Sequence, residues 1–503
     1  MTILPNDCFN RAWRDQIHPA DWVNPQSAKK YDLVVIGAGP AGLVTAAIAA
    51  TLGAKVALIE KQGMGGDCLN VGCVPSKGVI AASRIWESVR RADTFGLIVP
   101  PGIKQEFSTV MARMRELRAQ ISHHDSAARF TQMGVDVFFG TGRFVRSGQI
   151  EIEGATLNFK KAAICTGARA RAPFIPGLIE AGYKTNETIF ELTKLPSKMA
   201  VIGAGPIGCE MAQAFARFGS EVTLFVKGDR LLPREDEDAA KIVEMQMKKD
   251  GVVFVFNTEN TAVTTEGNRK LLHYEQDGVA KESVVDEILS GVGRAPNVEG
   301  LDLENAGVSY DNKRGVFVNS FLQTTNPSIY AAGDICSPFQ FTHAADAMAA
   351  IVIQNALFPH PLGLGLASTD SLVIPWCTYT SPEIAHVGVY DSDPSAVDTF
   401  TCLLTDSDRA VLDGEEEGFV RVHLKKGTDQ ILGATVIATH AGEMIGEITL
   451  AMTAKLGLGT ISKTIHPYPT QSETVRKVAL QWRKSRFTEQ KKKILTGWFS
   501  LTR

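Results

Sequence analysis

The sequence predicts an α/β protein built on two Rossmann-like, doubly wound units that each bind a dinucleotide. Residues 31–62 read YDLVVIGAGPAGLVTAAIAATLGAKVALIEKQ, and residues 199–228 read MAVIGAGPIGCEMAQAFARFGSEVTLFVKG. Each is a β-rich run, a Gly-rich turn, an Ala-rich helix and a second β-rich run, the order of a βαβ nucleotide-binding unit. The 503 residues allow about three domains, so the two units leave room for one more.

The turns carry the nucleotide expectation. Gly37, Gly39 and Gly42 correspond to Gly203, Gly205 and Gly208. Glycine permits the tight turn and the close backbone approach to a pyrophosphate, which sits at the positive end of the following helix. Pro40 and Ala41 complete the first turn and Ile207 the second. Two such sites call for two dinucleotides, and the natural pair is FAD with a nicotinamide. The second strand of the first unit ends at Glu60, next to Lys61, where a carboxylate can bind both ribose hydroxyls. In the second unit that position is Val226, followed by Lys227 and then Arg230. A missing acid and two cations suit a 2′-phosphate, which assigns FAD to the first unit and NADPH, rather than NADH, to the second. Ordinary solvated charge is the other reading of Lys227 and Arg230.

Composition narrows the class. An apolar content of 44% supports a large core, and a net charge of -3 gives no reason to expect nucleic acid. No apolar run reaches the roughly 18–20 residues of a membrane span. The extension over residues 1–29 lacks the apolar core of a signal peptide, so a cytoplasmic location is expected. Eight cysteines are too few for a disulfide scaffold of this size, and only Cys68 and Cys73 lie close together. In a reducing compartment such a pair suggests redox work or metal binding. The loop they enclose is short, so cross-linking it removes little chain entropy. Cys73 precedes an expected helix start, where a thiol is more thiolate-like, and Lys77 adds a positive charge one turn on.

Residues 65–77, GGDCLNVGCVPSK, resemble the signature of the pyridine nucleotide–disulfide oxidoreductases, a family that includes glutathione reductase, dihydrolipoyl dehydrogenase and mercuric reductase. The resemblance runs from about Tyr31 to Arg476. It implies FAD contacts at Gly66, Asp67, Gly142, at Cys165-Thr166-Gly167, and at Gly333-Asp334. Gly293-Arg294 resembles the segment returning from the nicotinamide domain, and Ile374-Pro375 with Pro382–Ala385 the start of a dimerisation domain. The implied organisation is an FAD domain over residues 30–188 and 312–363, a nicotinamide domain over 189–311, and a C-terminal α+β dimerisation domain over 364–503. Cys73 is implied as the flavin-proximal thiol and Cys68 as the interchange thiol. Lys77 and Glu210 resemble the ion pair beside the flavin, with a purely structural salt bridge as the plainer reading. A homodimer is implied, with Tyr468 and Glu473 of one protomer facing the cysteine pair of the other.

The chain departs from disulfide reductases near its end, where residues 464–473 read TIHPYPTQSE. Tyr468 stands where they carry a His, while Glu473 keeps its place and His466 lies two residues earlier. A phenol with a reference pKa near 10 is a poor proton shuttle but can coordinate a thiophilic metal. Tyr468, and Pro206 in place of a tyrosine in the second glycine turn, resemble the mercuric reductase branch. The expected function is therefore transfer of electrons from NADPH through FAD to Cys68 and Cys73 and on to Hg(II) or a related metal, with Cys68, Cys73 and Tyr468 as transient ligands and no structural metal. Against it, the chain has neither a C-terminal cysteine pair nor an N-terminal metal-binding domain. The alternatives are a small-disulfide reductase in which His466 moves the proton, and a flavoprotein with a mainly binding or membrane-associated role. His343 is expected either near the flavin or simply buried. His123 and His124, within an expected helix over 111–133, should point to different faces. The basic, aromatic tail over 482–503 suits either a surface helix on the dimer or a peripheral membrane contact.

Overall fold

The computed structural model describes residues 4–267, 269–390, 393 and 395–503. The chain divides into two compact units, one running to Asp229 and including Gly251–Leu372, the other formed by Arg230–Asp250 and Val373–Arg503.

In the first unit, strand Tyr31–Ile36 lies between Val56–Glu60 and Ala155–Ile164, parallel to both. Its apolar residues are buried, as expected of a parallel strand covered on both faces. Asp136–Phe139 extends the sheet beyond Val56–Glu60, and Ile329–Ala331 pairs with Ala155–Ile164 from far along the sequence. The latter pairing brings Gly333 beside the first glycine turn, where its ideal Cβ position lies 3.2 Å from that of Ala41. Helix Pro40–Thr51 starts directly after the turn, with proline in its first turn. A Cβ on Gly42 would sit 1.8 Å from the Gly37 carbonyl oxygen, and one on Gly208 would sit 2.0 Å from that of Gly203. Backbone cannot yield that far, so glycine is obligatory at both positions.

The second glycine turn follows strand Lys198–Ile202. That strand lies in a parallel four-stranded sheet, in the order Val253–Val255, Glu221–Phe225, Lys198–Ile202, Glu287–Ser290. An antiparallel meander, Thr258–Glu266, Arg269–Gln276 and Val279–Val285, belongs to the same unit. The unit therefore contains both nucleotide-binding folds.

The second unit is an antiparallel five-stranded sheet, Pro375–Thr378, Glu383–Gly388, Ile431–Ala438, Phe419–Lys425 and Val397–Leu403 in spatial order. Its core is completed by helices Ala441–Thr453 and Glu473–Ser485. The segment Arg230–Asp250 belongs here: Trp376 and Tyr390 donate to the Glu235 carboxylate at 2.9 and 2.6 Å, and Arg421 pairs with Asp236 and Asp238.

One sequence expectation fails in the first unit. The helix expected over residues 111–133 is interrupted: Phe107–Ser122 ends in the short 3₁₀ turn His123–Asp125, and a new helix begins at Ala127 with Ser126 as its cap. The turn places the His123 and His124 rings together, 3.8 Å between centroids, rather than on different faces.

Candidate active site

The cysteine pair lies on a two-helix loop. Gly65, with φ 97°, caps the short helix Gly66–Asn70 that carries Cys68, and Val71-Gly72 break it before helix Cys73–Arg90 begins. Only glycine fits at the break, because a Cβ on Gly72 would meet the Asp67 carbonyl oxygen at 2.7 Å. Both thiols are free. The Cys68 thiol donates to Cys73, which raises the pKa of Cys68 and lowers that of Cys73 to about 6. The Thr342 hydroxyl, 3.6 Å from the Cys73 sulfur, and the charge of Lys77 favour the same thiolate, while burial and Glu210 oppose it. Helix Cys73–Arg90 starts at this sulfur and adds its positive end. The pair is thus polarised into one thiolate and one proton donor. Lys77 bonds Glu210 at 3.0 Å, linking this helix to Pro206–Phe218 of the second glycine motif.

A segment that carries no motif holds the loop from behind. Within helix Cys8–Ile17, the Trp13 indole donates to the Asn70 side-chain oxygen at 2.9 Å. The Arg118 guanidinium lies 3.9 Å from the Trp13 ring centre and donates to the Asn70 carbonyl and to the Asn10 side chain, each at 2.7 Å. Arg115 pairs with Asp7 at 2.6 Å. Farther on, the Met64 amide donates to the Ile17 carbonyl, His18 stacks on Phe139, and Asn24 bonds both backbone groups of Phe139.

The remaining expected residues of the first unit form a cradle that fits FAD. Helix Pro40–Thr51 has no side-chain cap, which leaves its first amides available to a phosphate. Gly39 and Gly66 pack face to face: a Cβ on Gly66 would lie 2.5 Å from the Gly39 Cα. Glu60 accepts from the amides of Ala38, Gln62 and Gly63, while burial raises its pKa against those bonds. Three of its roughly four acceptor sites are thereby engaged, which leaves at most one for a ribose hydroxyl. Lys61 beside it is exposed. Gly142 sits where a Cβ would press on Ile59 at 3.0 Å. Arg294 bridges Asp67 and Asp334, the latter with its pKa raised by burial. Thr166 and Gly167 bond the backbone of Asn297, beyond Gly293 and Arg294. Cys165 is buried under the first glycine turn with its thiol pushed up to about 12, so it packs rather than reacts.

Residues 31–349 match the family model described as pyridine nucleotide-disulphide oxidoreductase, and residues 374–479 match that family's dimerisation domain. The chain belongs to this family. It is similar to a mercuric reductase of Bacillus cereus, 32% identical over 92% of this chain and 73% of that one. It is equally similar to a dihydrolipoyl dehydrogenase of Bacillus subtilis, 32% identical over 90% of this chain and 98% of that one. Among solved structures, the Cu(II) complex of the HOCl-induced flavoprotein disulfide reductase RclA of Escherichia coli superposes with a TM-score of 0.80 at 26% identity, covering 90% of this chain and 100% of that one. As a member of the family, the chain is an FAD-binding flavoprotein oxidoreductase with a dimerisation domain suited to a homodimer.

Other expected residues make contacts of their own. His343 stacks on Phe341, 5.4 Å between centroids, and it is the neighbouring Thr342, at the start of helix Thr342–Leu357, that reaches Cys73. In the second nucleotide unit Gly205 is open, with nothing within 4 Å of a Cβ there, and Ile207 is partly exposed. Val226 is buried with its backbone bonded to Val255 and Thr258, and Lys227 is exposed. Arg230, expected as a second phosphate cation, directs two of its five guanidinium donors to the carbonyls of Pro233 and Glu235. In the second unit the Tyr468 hydroxyl, on a side chain 69% exposed, donates to Asp408 at 2.7 Å, and this bond raises its pKa. His466 bonds Glu447 at 2.8 Å with only 7% of its side chain exposed. Glu473 opens helix Glu473–Ser485. Sequence reasoning missed Thr342, Asn70, Asp408 and Glu447 as participants, and only Thr342 and Asn70 lay beside residues it had singled out.

Proposed function

We propose that this flavoprotein oxidises NADPH and passes the two electrons to the Cys68–Cys73 pair and on to Hg(II) or a related thiophilic metal ion. Bound FAD supplies the two-electron relay between nicotinamide and sulfur. The net reaction balances: NADPH and Hg(II) become NADP⁺, H⁺ and Hg(0). Lys77 holds positive charge beside the relay, Cys73 is the thiolate facing it, and Cys68 is the thiol that meets the oxidant. The observation that carries the metal reading is Tyr468: a phenol that donates to Asp408, with its pKa raised by that bond, keeps its proton and serves as a hydrogen-bond partner and not as a proton shuttle. In this reading Tyr468 and Glu473 of one protomer meet the cysteine pair of the other.

One observation favours a second reading. The His466–Glu447 pair has the composition of an acid/base dyad, which suits reduction of a small disulfide. Steady-state NADPH oxidation separates the two. With Hg(II) in excess thiol, the expected result is metal-dependent oxidation that releases volatile mercury and is lost in Cys68→Ala. Turnover of lipoamide or glutathione disulfide without Hg(II) turnover, and its loss in His466→Ala, would replace the metal reading by the disulfide one.

The NADPH assignment rests on the absent carboxylate at Val226 and the exposed cation at Lys227. Lys227→Glu is expected to lower kcat/KM for NADPH by roughly tenfold or more, the scale of one charged hydrogen bond, and to leave NADH nearly unchanged. Equal losses with both nucleotides would remove Lys227 from the phosphate site.

A further inference from the structure

Helix Glu489–Leu501 buries none of its residues. It is nevertheless capped, with the Lys491 amide donating to the Thr488 hydroxyl, and its apolar residues are neither scattered nor covered. Ile494, Leu495, Trp498 and Leu501 follow at helical spacing and share one face with Phe499 at its margin. Ile494 is 72% exposed, Trp498 61% and Leu501 85%. Lys493, Thr496, Gly497 and Ser500 fall on the opposite face. From Arg483 to Arg503 there are seven cationic side chains against the single carboxylate of Glu489, a formal +6 in a chain whose net charge is -3. The matched dimerisation domain stops at residue 479, before this segment.

We propose that the segment Arg483–Arg503 docks on the surface of an anionic lipid bilayer. The helix lies in the plane of the interface, with Ile494, Leu495, Trp498, Phe499 and Leu501 at the boundary between headgroups and acyl chains. The arginines and lysines around it face lipid phosphates. The apolar face alone would also suit a second copy of the chain, but a two-fold contact through this segment would bring two sets of like charges together. A negatively charged surface satisfies the apolar face and the cations at once. This inference is independent of which oxidant the enzyme uses.

Full-length holoenzyme sedimented with phosphatidylglycerol-containing vesicles tests it, with pure phosphatidylcholine vesicles as control. The expected result is selective binding to the anionic vesicles that weakens with added salt. Ile494→Asp and Trp498→Asp, at exposed positions, should each weaken binding by roughly tenfold or more, with flavin absorbance, thermal midpoint and dimer mass unchanged. No binding to the anionic vesicles, or equal binding to both kinds, overturns the proposal. Conversion of either variant to a monomer also overturns it and assigns the face to a second copy.

Discussion

Replacing Cys73 with serine is expected to abolish the long-wavelength thiolate-to-flavin absorbance of the two-electron-reduced enzyme and to lower oxidant turnover on the order of a thousandfold or more, the scale of losing an activated nucleophile. Cys68→Ser should differ in kind. It keeps the Cys73 thiolate, so the absorbance should persist while turnover is lost. The asymmetry follows from the geometry: Cys73 opens a helix, receives hydrogen bonds from Cys68 and Thr342, and feels Lys77, whereas Cys68 is the donor. Alkylation of the reduced enzyme with iodoacetamide provides a check on pH dependence. Only the thiolate reacts, so the Cys73 rate should rise with pH through about 6, not through the usual thiol range near 9. Cys68→Ala removes the largest stabilising contribution and should move that midpoint upward, and Lys77→Met should move it in the same direction by less. Loss of the absorbance in Cys68→Ser but not in Cys73→Ser would reverse the roles of the two thiols.

Arg118→Ala is expected to destabilise the protein by about 3–5 kcal/mol, since it leaves two buried acceptors unpaired and removes a cation from an indole face. Those acceptors are the Asn70 carbonyl, inside the redox loop, and the Asn10 side chain in the N-terminal helix. Trp13→Phe retains a ring for Arg118 but removes the donor to Asn70, and about 1–2 kcal/mol is expected. Thermal unfolding measures both. Amide exchange reports where the loss acts: protection should fall over residues 64–73 in both variants, and the reduced Cys68 thiol should alkylate faster. A lower midpoint with unchanged exchange over the loop would reduce the N-terminal helix to general packing.

The parts of the site that were legible in the sequence are those whose chemistry is local. The glycine turns show their purpose within a few residues because the clash that forbids a Cβ on Gly42 comes from Gly37. The cysteines likewise sit in one short loop whose break is set by Gly72. Contacts made across the fold left no such trace. Thr342 reaches Cys73 from a helix 269 residues away, and the eye falls first on the more reactive His343 beside it. Trp13 and Asn70 are 57 residues apart, and neither advertises a partner. Arg230 resembles a phosphate ligand by charge, yet two of its five donors go to a turn of its own segment. The adjoining rings of His123 and His124 escape the helical pattern because Ser126 starts a new helix there.

The N-terminal helix also dictates an order of events during synthesis. It leaves the ribosome ahead of its partners, which are Asn70, Arg118 and, beyond it, Phe139. Until those residues have emerged, nothing fastens the cysteine loop from behind, and both thiols are made long before the loop is secured. Such long-range closure is slow compared with local helix formation. The nascent chain therefore passes through an interval in which Cys68 and Cys73 can pair with each other while this brace is still open, and a chain begun at Tyr31 would keep the Arg118–Asn70 bond but lack the Trp13 donor behind the loop.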